Sequence, residues 1–72
     1  MLKLRPLKQK KVIEILLRNG FKEIRSGKHI TFKKHLENGE VLTTWVPHHL
    51  EVSVFVLQYI IKQTRKAKEE FY

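Results

Sequence analysis

The sequence predicts an α+β fold in which a helix, three antiparallel strands and a second helix follow one another. Apolar residues recur at helical spacing over about residues 8–19. Residues 21–47 hold short stretches of alternating polarity, separated by the turn signals Ser26-Gly27 and Asn38-Gly39. A second helical pattern comes after these strands. We therefore expect one small domain, residues 1–72, with both helices on one face of a three-stranded sheet.

An apolar stripe on one side predicts the first helix, and it consists of Val12, Ile13, Leu16 and Leu17. Asn19-Gly20 is expected to end this helix, because glycine readily takes the left-handed conformation found at helix C-termini. The preceding residues 1–7 are expected to form a short basic lead.

The second helix is predicted from Ser53, whose hydroxyl is a suitable N-cap. Its start is ambiguous, because the β-branched and aromatic residues at 52–56 favour a strand, whereas the total length and the later spacing favour a helix. The first half is apolar on more than one side, so it either lies deep under the sheet or meets a partner. Residues 48–52 are expected to be a loop.

Asn38-Gly39 is a strong hairpin signal, because both central positions of a two-residue turn require positive φ. A loop of two or four residues places Phe32 opposite Trp45, and opposed residues share a face of the sheet. The face toward the helices is then expected to hold Ile30, Phe32, Leu36, Val41 and Trp45. The open face is expected to hold His29, Thr31, Lys33, His35, Thr44, Val46 and His48, with His29 opposite His48. A loop with an odd number of residues would break this register.

The charge indicates the class of partner. Fifteen Lys and Arg residues stand against seven Asp and Glu residues, which gives a formal net charge of +8. Such a field attracts polyanions, among which nucleic acid is the commonest, and it also suits an acidic protein. A simple solvated basic surface is the alternative.

Other features of the composition bear on location and assembly. The chain has no cysteine, which excludes disulfides and thiolate metal sites. The first residues are too polar for a signal peptide, and no apolar run approaches the roughly 18–20 residues of a membrane span. We therefore expect a cytoplasmic protein. A chain this short buries only about 60% of its unfolded surface, so either a partner or self-association as a homo-oligomer could supply extra stability.

The segment Arg25-Ser26-Gly27-Lys28-His29 holds the candidate chemistry, because it sets one histidine beside two cations at a turn. An ordinary surface histidine is the alternative interpretation. No cofactor is predicted, and no metal either, because the adjacent His48 and His49 point to opposite sides of an extended chain and only Glu51 is near them. Trp45 and Phe32 could stack on bases, but the predicted register assigns both to the core.

The order of these residues resembles the HicA (YcfA-like) toxins of HicA–HicB toxin–antitoxin systems. The resemblance rests on Arg25, Gly27, His29 and Phe32, on the Asn19-Gly20-Phe21 helix end, and on Val46-Pro47 followed by histidine. It also includes the closing helical segment 57–63. The resemblance implies a double-stranded-RNA-binding-like fold, translation-independent cleavage of mRNA, a HicB-type antitoxin as partner, and His29 as the catalytic histidine. This chain has Lys28 where the family usually has serine, and Ile30 where a second histidine often follows.

The chemistry of such a site follows from the substrate. RNA carries its own nucleophile, the 2′-hydroxyl, and a histidine such as His29 suits the role of general base because imidazole titrates near neutral pH. Lys28 and Arg25 would stabilise charge developing on the phosphate. The predicted register makes His48 the candidate acid for the leaving oxygen. Lys33, Lys8 and Lys11 are candidate contacts to the RNA backbone. A non-catalytic RNA-binding module on the same fold is the alternative, because it would need no histidine.

Overall fold

The computed structural model describes residues 4–66 and 68–71, and it confirms the predicted α+β class with two helices and a three-stranded antiparallel sheet. The elements in chain order are β1 (Leu7–Lys8), α1 (Gln9–Arg18), β2 (Lys22–Ser26), β3 (His29–His35), β4 (Val41–Pro47), β5 (Glu51–Val52), α2 (Val54–Thr64) and a 3-10 turn (Lys68–Phe71). The strands β2, β3 and β4 form a meander in that order.

A second sheet has two strands and joins the segment before α1 to the segment between β4 and α2. Leu7 pairs with Val52 and Lys8 pairs with Glu51 in antiparallel fashion. The predicted loop at residues 48–52 therefore ends in a short strand, and the predicted basic lead, of which residues 1–3 lie outside the described residues, also ends in one. The small sheet fixes the start of α1 beside the residues that follow β4, and the side chain of Gln9 donates to the Pro47 carbonyl oxygen at 2.9 Å.

The helix α1 buries Val12, Ile15 and Leu16, whereas Leu17 of the predicted stripe is 53% exposed. The helix ends as predicted at Asn19-Gly20, and Gly20 has a φ of +90°. The N–H of Gly20 donates to the Leu17 carbonyl, and the N–H of Phe21 donates to the Leu16 carbonyl. These two bonds form a Schellman motif, which directs Phe21 back into the core.

The hairpin between β3 and β4 has an odd-numbered loop, so the predicted register is wrong by one residue. The N–H of Leu36 donates to the Glu40 carbonyl at 2.8 Å, and the N–H of Gly39 donates to the Leu36 carbonyl at 3.0 Å. Gly39 has a φ of +92°, but Asn38 does not have a positive φ. A turn followed by one left-handed glycine is the usual three-residue hairpin connection, and it replaces the predicted two-residue turn.

The change of register exchanges the two faces of β4. Phe32 lies opposite Thr44, and Thr31 lies opposite Trp45. The core side of β4 therefore holds Leu42, Thr44 and Val46, not the predicted Val41 and Trp45. Successive strand residues point to opposite faces, so a slip of one residue moves every side chain to the other side.

Both helices contribute to one core that covers a single face of the meander. Its buried side chains from α1, β3, β4 and α2 are Val12, Ile15, Leu16, Ile30, Phe32, Leu42, Val46, Leu57 and Ile60. The hydroxyl of the buried Thr44 donates to the Gln63 side chain at 2.8 Å, which satisfies the polar group at this position. Phe71, in the 3-10 turn, is also fully buried in this core. The opposite face of the sheet is left to the site described below.

Ser53 caps α2 as predicted, since its hydroxyl accepts a hydrogen bond from the Val56 N–H at 3.4 Å. The other end of α2 is tied to the hairpin loop, because the Arg65 guanidinium donates to both carboxylate oxygens of Glu40, at 2.8 and 3.3 Å. Within the described residues, no helix is long and apolar enough to cross a membrane.

Candidate nucleic-acid interface

A cleft of about 220 Å³ lies on the open face of the meander, at the turn between β2 and β3. The residues that line it are Arg25, Gly27, Lys28, His29, Thr31 and Trp45. Two of these side chains are cationic, one is an imidazole and none is a carboxylate. The cleft therefore offers a positively charged surface with one imidazole, a group that can accept or donate a proton.

His29 is the first residue of β3, directly after the turn that the sequence predicted at Ser26-Gly27. The Gly27 N–H donates to the His29 carbonyl at 3.2 Å, which closes the turn and fixes the direction of the strand. Gly27 does not have a positive φ, and a Cβ atom there would come no closer than 3.9 Å to a neighbour, the Arg25 Nε. Neither the conformation of Gly27 nor the space around it requires glycine. Gly27 therefore contributes to the site through its backbone carbonyl and its place in the turn.

A β-bulge in β2 brings Arg25 to the same face as His29. Glu23 pairs with Phe32, but Arg25 pairs with Thr31, so the ladder shifts by one residue at Ile24. Without that shift Arg25 would lie opposite Ile30, whose side chain faces the helices. Bulges commonly redirect a side chain in this way next to functional sites.

Trp45 is the site residue that the sequence interpretation missed. It was assigned to the core, but it is only partly buried on the open face, and its ring lies 4.5 Å from the His29 ring at an interplanar angle of 42°. The signal that could have found it is loop parity, because a three-residue loop places Trp45 opposite Thr31 and beside His29.

His48 contacts the turn and not the cleft. Pro47 lies opposite His29, where His48 was expected. Nε2 of His48 lies 2.9 Å from the Gly27 carbonyl oxygen, and since a carbonyl can only accept, the ring nitrogen is the donor. His48 is therefore hydrogen-bonded directly to the turn that precedes His29.

The remaining predicted contacts to RNA are spread over the surface. Lys33 lies on the open face of β3, directly opposite Lys22 of β2. Two like charges opposite each other are unfavourable in a sheet unless an anion neutralises them, so Lys22 is a further basic residue that the sequence interpretation missed. Lys8 and Lys11 are exposed, on β1 and α1, and do not line the cleft.

Comparison with known proteins identifies the family. A family model of the HicA toxin of bacterial toxin–antitoxin systems matches residues 10–65. The chain belongs to the HicA toxin family. No curated protein and no solved structure gives a significant match.

The match to the HicA family spans α1, the whole meander with its cleft, and α2. The resemblance inferred from the sequence is therefore confirmed. Membership makes the protein a toxin of a toxin–antitoxin system, and a cognate antitoxin is the partner that membership implies. The family is generally one of RNase-type toxins.

The cleft is distinct from the closer of the two ion pairs seen among the described residues, Arg65 with Glu40 at 2.8 Å. The Arg65 guanidinium, followed by the Asn38 amide, lowers the pKa of Glu40 through hydrogen bonds to its carboxylate. That pair lies at the hairpin loop of β3 and β4, whereas the cleft lies at the opposite end of β3. Among residues 4–66 and 68–71, no cluster of three His, Asp or Glu side chains is arranged to hold a metal ion.

Proposed function

We propose that this HicA-family toxin is a metal-independent endoribonuclease that cleaves mRNA, with His29 as the general base. The observation that carries the proposal is the placement of His29, exposed at the start of β3, in a cleft whose other charged residues are Arg25 and Lys28. An exposed imidazole in a cleft with two cations suits a substrate that has both a phosphate and a hydroxyl group. The cations can bind the phosphate, and the imidazole can accept the hydroxyl proton.

The reaction needs only groups that the RNA and this cleft provide. His29 takes the proton of the 2′-hydroxyl, and the 2′-oxygen attacks the adjacent phosphorus. The bond from phosphorus to the 5′-oxygen of the next nucleotide breaks as the new bond forms. The products are a 2′,3′-cyclic phosphate and a 5′-hydroxyl. Arg25 and Lys28 offset the negative charge that accumulates on the phosphate oxygens in the transition state.

The leaving 5′-oxygen must gain a proton. His48 was predicted to supply it, but its Nε2–H is engaged by the Gly27 carbonyl. We therefore assign His48 a positioning role, in which it holds the turn before His29, and water supplies the proton. General acid–base catalysis contributes typically about 10²–10⁴ in rate, so a slow enzyme is expected.

The surroundings of the cleft support RNA as the substrate. Lys33 extends the basic surface along the open face, and Lys22 stands opposite it. Lys8 and Lys11 add positive charge elsewhere on the surface, in keeping with the net charge of +8.

The proposal also covers the fold, the location and the partner of the protein. The single domain 1–72 has a double-stranded-RNA-binding-like fold, and it acts in the cytoplasm, where mRNA is found. A HicB-type antitoxin covers the cleft. Homo-oligomerisation stays a prediction.

The proposed cleavage reaction is tested with an RNA that lacks the 2′-hydroxyl of one nucleotide. A fluorescent RNA is first cut by the toxin in excess EDTA, and the cut is mapped. The same RNA is then made with a single 2′-deoxynucleotide on the 5′ side of that cut. We expect cleavage there to disappear and the other products to end in a 2′,3′-cyclic phosphate. Cleavage at the deoxynucleotide would overturn this mechanism. If the toxin binds every RNA and cuts none, it is an RNA-binding module.

A further inference from the structure

Trp45 occupies a position that packing of the core does not explain. The core lies on the helix-covered face of the meander, and β4 supplies it with Leu42, Thr44 and Val46. Trp45 points to the other face and is only partly buried there. A large aromatic side chain left half-covered on a basic surface is available to a ligand.

The neighbours of Trp45 indicate which ligand. Among the described residues that line the cleft, it is the only large apolar side chain, and the rest are basic, polar or glycine. The centroid of its ring lies 4.5 Å from that of the His29 ring, at an interplanar angle of 42°. The cleft, at about 220 Å³, is smaller than the roughly 300–1,000 Å³ of a pocket for an enclosed drug-sized molecule. It therefore suits one flat group that is attached to a larger, anionic chain.

We propose that Trp45 is the stacking surface of a nucleobase subsite, and that the cleft takes an unpaired nucleotide with its base on Trp45 and its phosphate beside Arg25 and Lys28. The inference rests on RNA as the ligand, as proposed above, but not on cleavage. Aromatic side chains flanked by cations bind single strands in this manner, because every base presents a π-face. A paired base cannot stack on Trp45, so this toxin acts on single-stranded segments and not on duplex.

The stacking contact can be observed directly, because Trp45 is the one tryptophan of the chain. Its fluorescence is measured while a mixed-sequence 2′-O-methyl RNA is added, which has no free 2′-hydroxyl and cannot be cut. We expect the fluorescence to be quenched on binding. An abasic oligomer of equal length, built on tetrahydrofuran units, keeps the phosphates and is expected to cause no quenching. A duplex of the same sequence is also expected to leave Trp45 unquenched.

Matched variants measure how much the stacking contact with Trp45 contributes to the affinity for RNA. Binding of a dye-labelled 2′-O-methyl RNA to Trp45→Leu is expected to be roughly 5- to 150-fold weaker, and binding to Trp45→Phe is expected to stay within a few-fold of wild type. Phe55→Leu replaces an aromatic residue that is 78% exposed on α2, and it is expected to bind as wild type does. Thermal unfolding of each variant verifies that it is folded.

The outcomes separate the two proposals. If RNA binds but neither quenches Trp45 nor binds Trp45→Leu more weakly, the stacking subsite is wrong and the ribonuclease proposal stands. Equal quenching by the duplex overturns the restriction to unpaired nucleotides. If no RNA binds at all, both the stacking subsite and the proposed function fail.

Discussion

His48 and His29 have different roles at the scale of single residues, although both are exposed histidines near the same turn. His29 lines the cleft, whereas Nε2 of His48 donates to the Gly27 carbonyl at 2.9 Å. The turn residue Gly27 connects the two, since its N–H also donates to the His29 carbonyl. The proposed role of His48 is therefore to position the turn backbone and not to donate its own proton to the leaving oxygen.

Substitution of His48 separates these two roles. In His48→Gln an amide N–H can reach the Gly27 carbonyl, but the amide cannot act as an acid. We expect this variant to cleave RNA within a few-fold of wild type, and His48→Ala to be slower by roughly 5-fold, the equivalent of one lost hydrogen bond of about 1 kcal/mol. The measurement is the initial cleavage rate. Equal losses of about 10²–10⁴ in both variants would instead identify His48 as the general acid.

Part of the candidate cleft could be predicted from the sequence because local order is enough to bring its residues together. Lys28 and His29 are adjacent in the sequence at the turn, so local order brings them together, whereas Arg25 also needs the bulge at Ile24 to reach the same face. Trp45 comes from another strand, and its face depends on the parity of a distant loop. The Asn38-Gly39 signal is compatible with loops of two, three or four residues. Loops of two or four residues place Trp45 on the core face, whereas a loop of three residues places it on the open face.

At the scale of elements, the contact between Arg65 and Glu40 ties α2 to the loop of the β3–β4 hairpin. Both side chains are partly exposed, and the guanidinium holds the carboxylate with two hydrogen bonds. The bond from Arg65 is the largest cause of the lowered Glu40 pKa. Because Arg65 lies just past the end of α2, this pair links the helix-covered core to the loop that sets the register.

The lowered pKa predicts a pH-dependent effect of Glu40→Gln. A carboxyl whose pKa is lower in the folded state stabilises the fold above its ordinary pKa of about 4.3, and this stabilisation is lost as the pH falls through the lowered value. The melting temperature of Glu40→Gln should therefore lie below that of wild type at pH 7. The two should converge as the pH falls below about 4.

Thermal unfolding of both proteins across the pH range measures this difference. Glu14→Gln is the matched control, because the Glu14 and Arg18 charges are 4.0 Å apart and form a weaker pair on α1. Its melting temperature should differ less from that of wild type at pH 7. A constant difference between Glu40→Gln and wild type from pH 7 to pH 3 would contradict the assignment.

The elements themselves were predictable where a periodic pattern extends over several residues. Helix α1 and the three strands of the meander lie within a residue or two of their predicted positions, whereas α2 begins as predicted but ends at Thr64, several residues before the end of the helix expected to run on to about residue 70. The strands β1 and β5 have two residues each, which is too short for any alternation to be visible. The bulge at Ile24 also leaves no periodic signal, because it is set by how β2 meets β3.

At the scale of the whole molecule, the net charge of +8 predicts binding to RNA that weakens steeply with salt. Each phosphate contact on a single strand contributes about 0.7 to the slope of log K against log salt concentration. Lys28→Gln, which removes a cation from the cleft, should reduce that slope by about 0.7. Lys62→Gln on α2 changes the net charge equally but lies away from the cleft, and it should leave the slope unchanged.

The measurement is the affinity for the uncleavable 2′-O-methyl RNA at several salt concentrations. Equal slopes for both lysine variants would show that RNA is held by general charge and not by the cleft. Composition alone predicted a polyanion as partner, but it could not say which face of the molecule meets it. That information comes from the fold, which leaves one side of the meander free of helices.

The most direct test of the account compares two histidines on the same strand. His29 and His35 are the first and last residues of β3, both exposed and both on the open face, but only His29 lines the cleft. The rate of RNA cleavage in excess EDTA is measured for wild type, His29→Ala and His35→Ala, together with the affinity of each for RNA. We expect His29→Ala to bind RNA normally and to cleave it about 10²–10⁴ times more slowly, while His35→Ala matches wild type. Cleavage by His29→Ala at the wild-type rate would contradict the central claim.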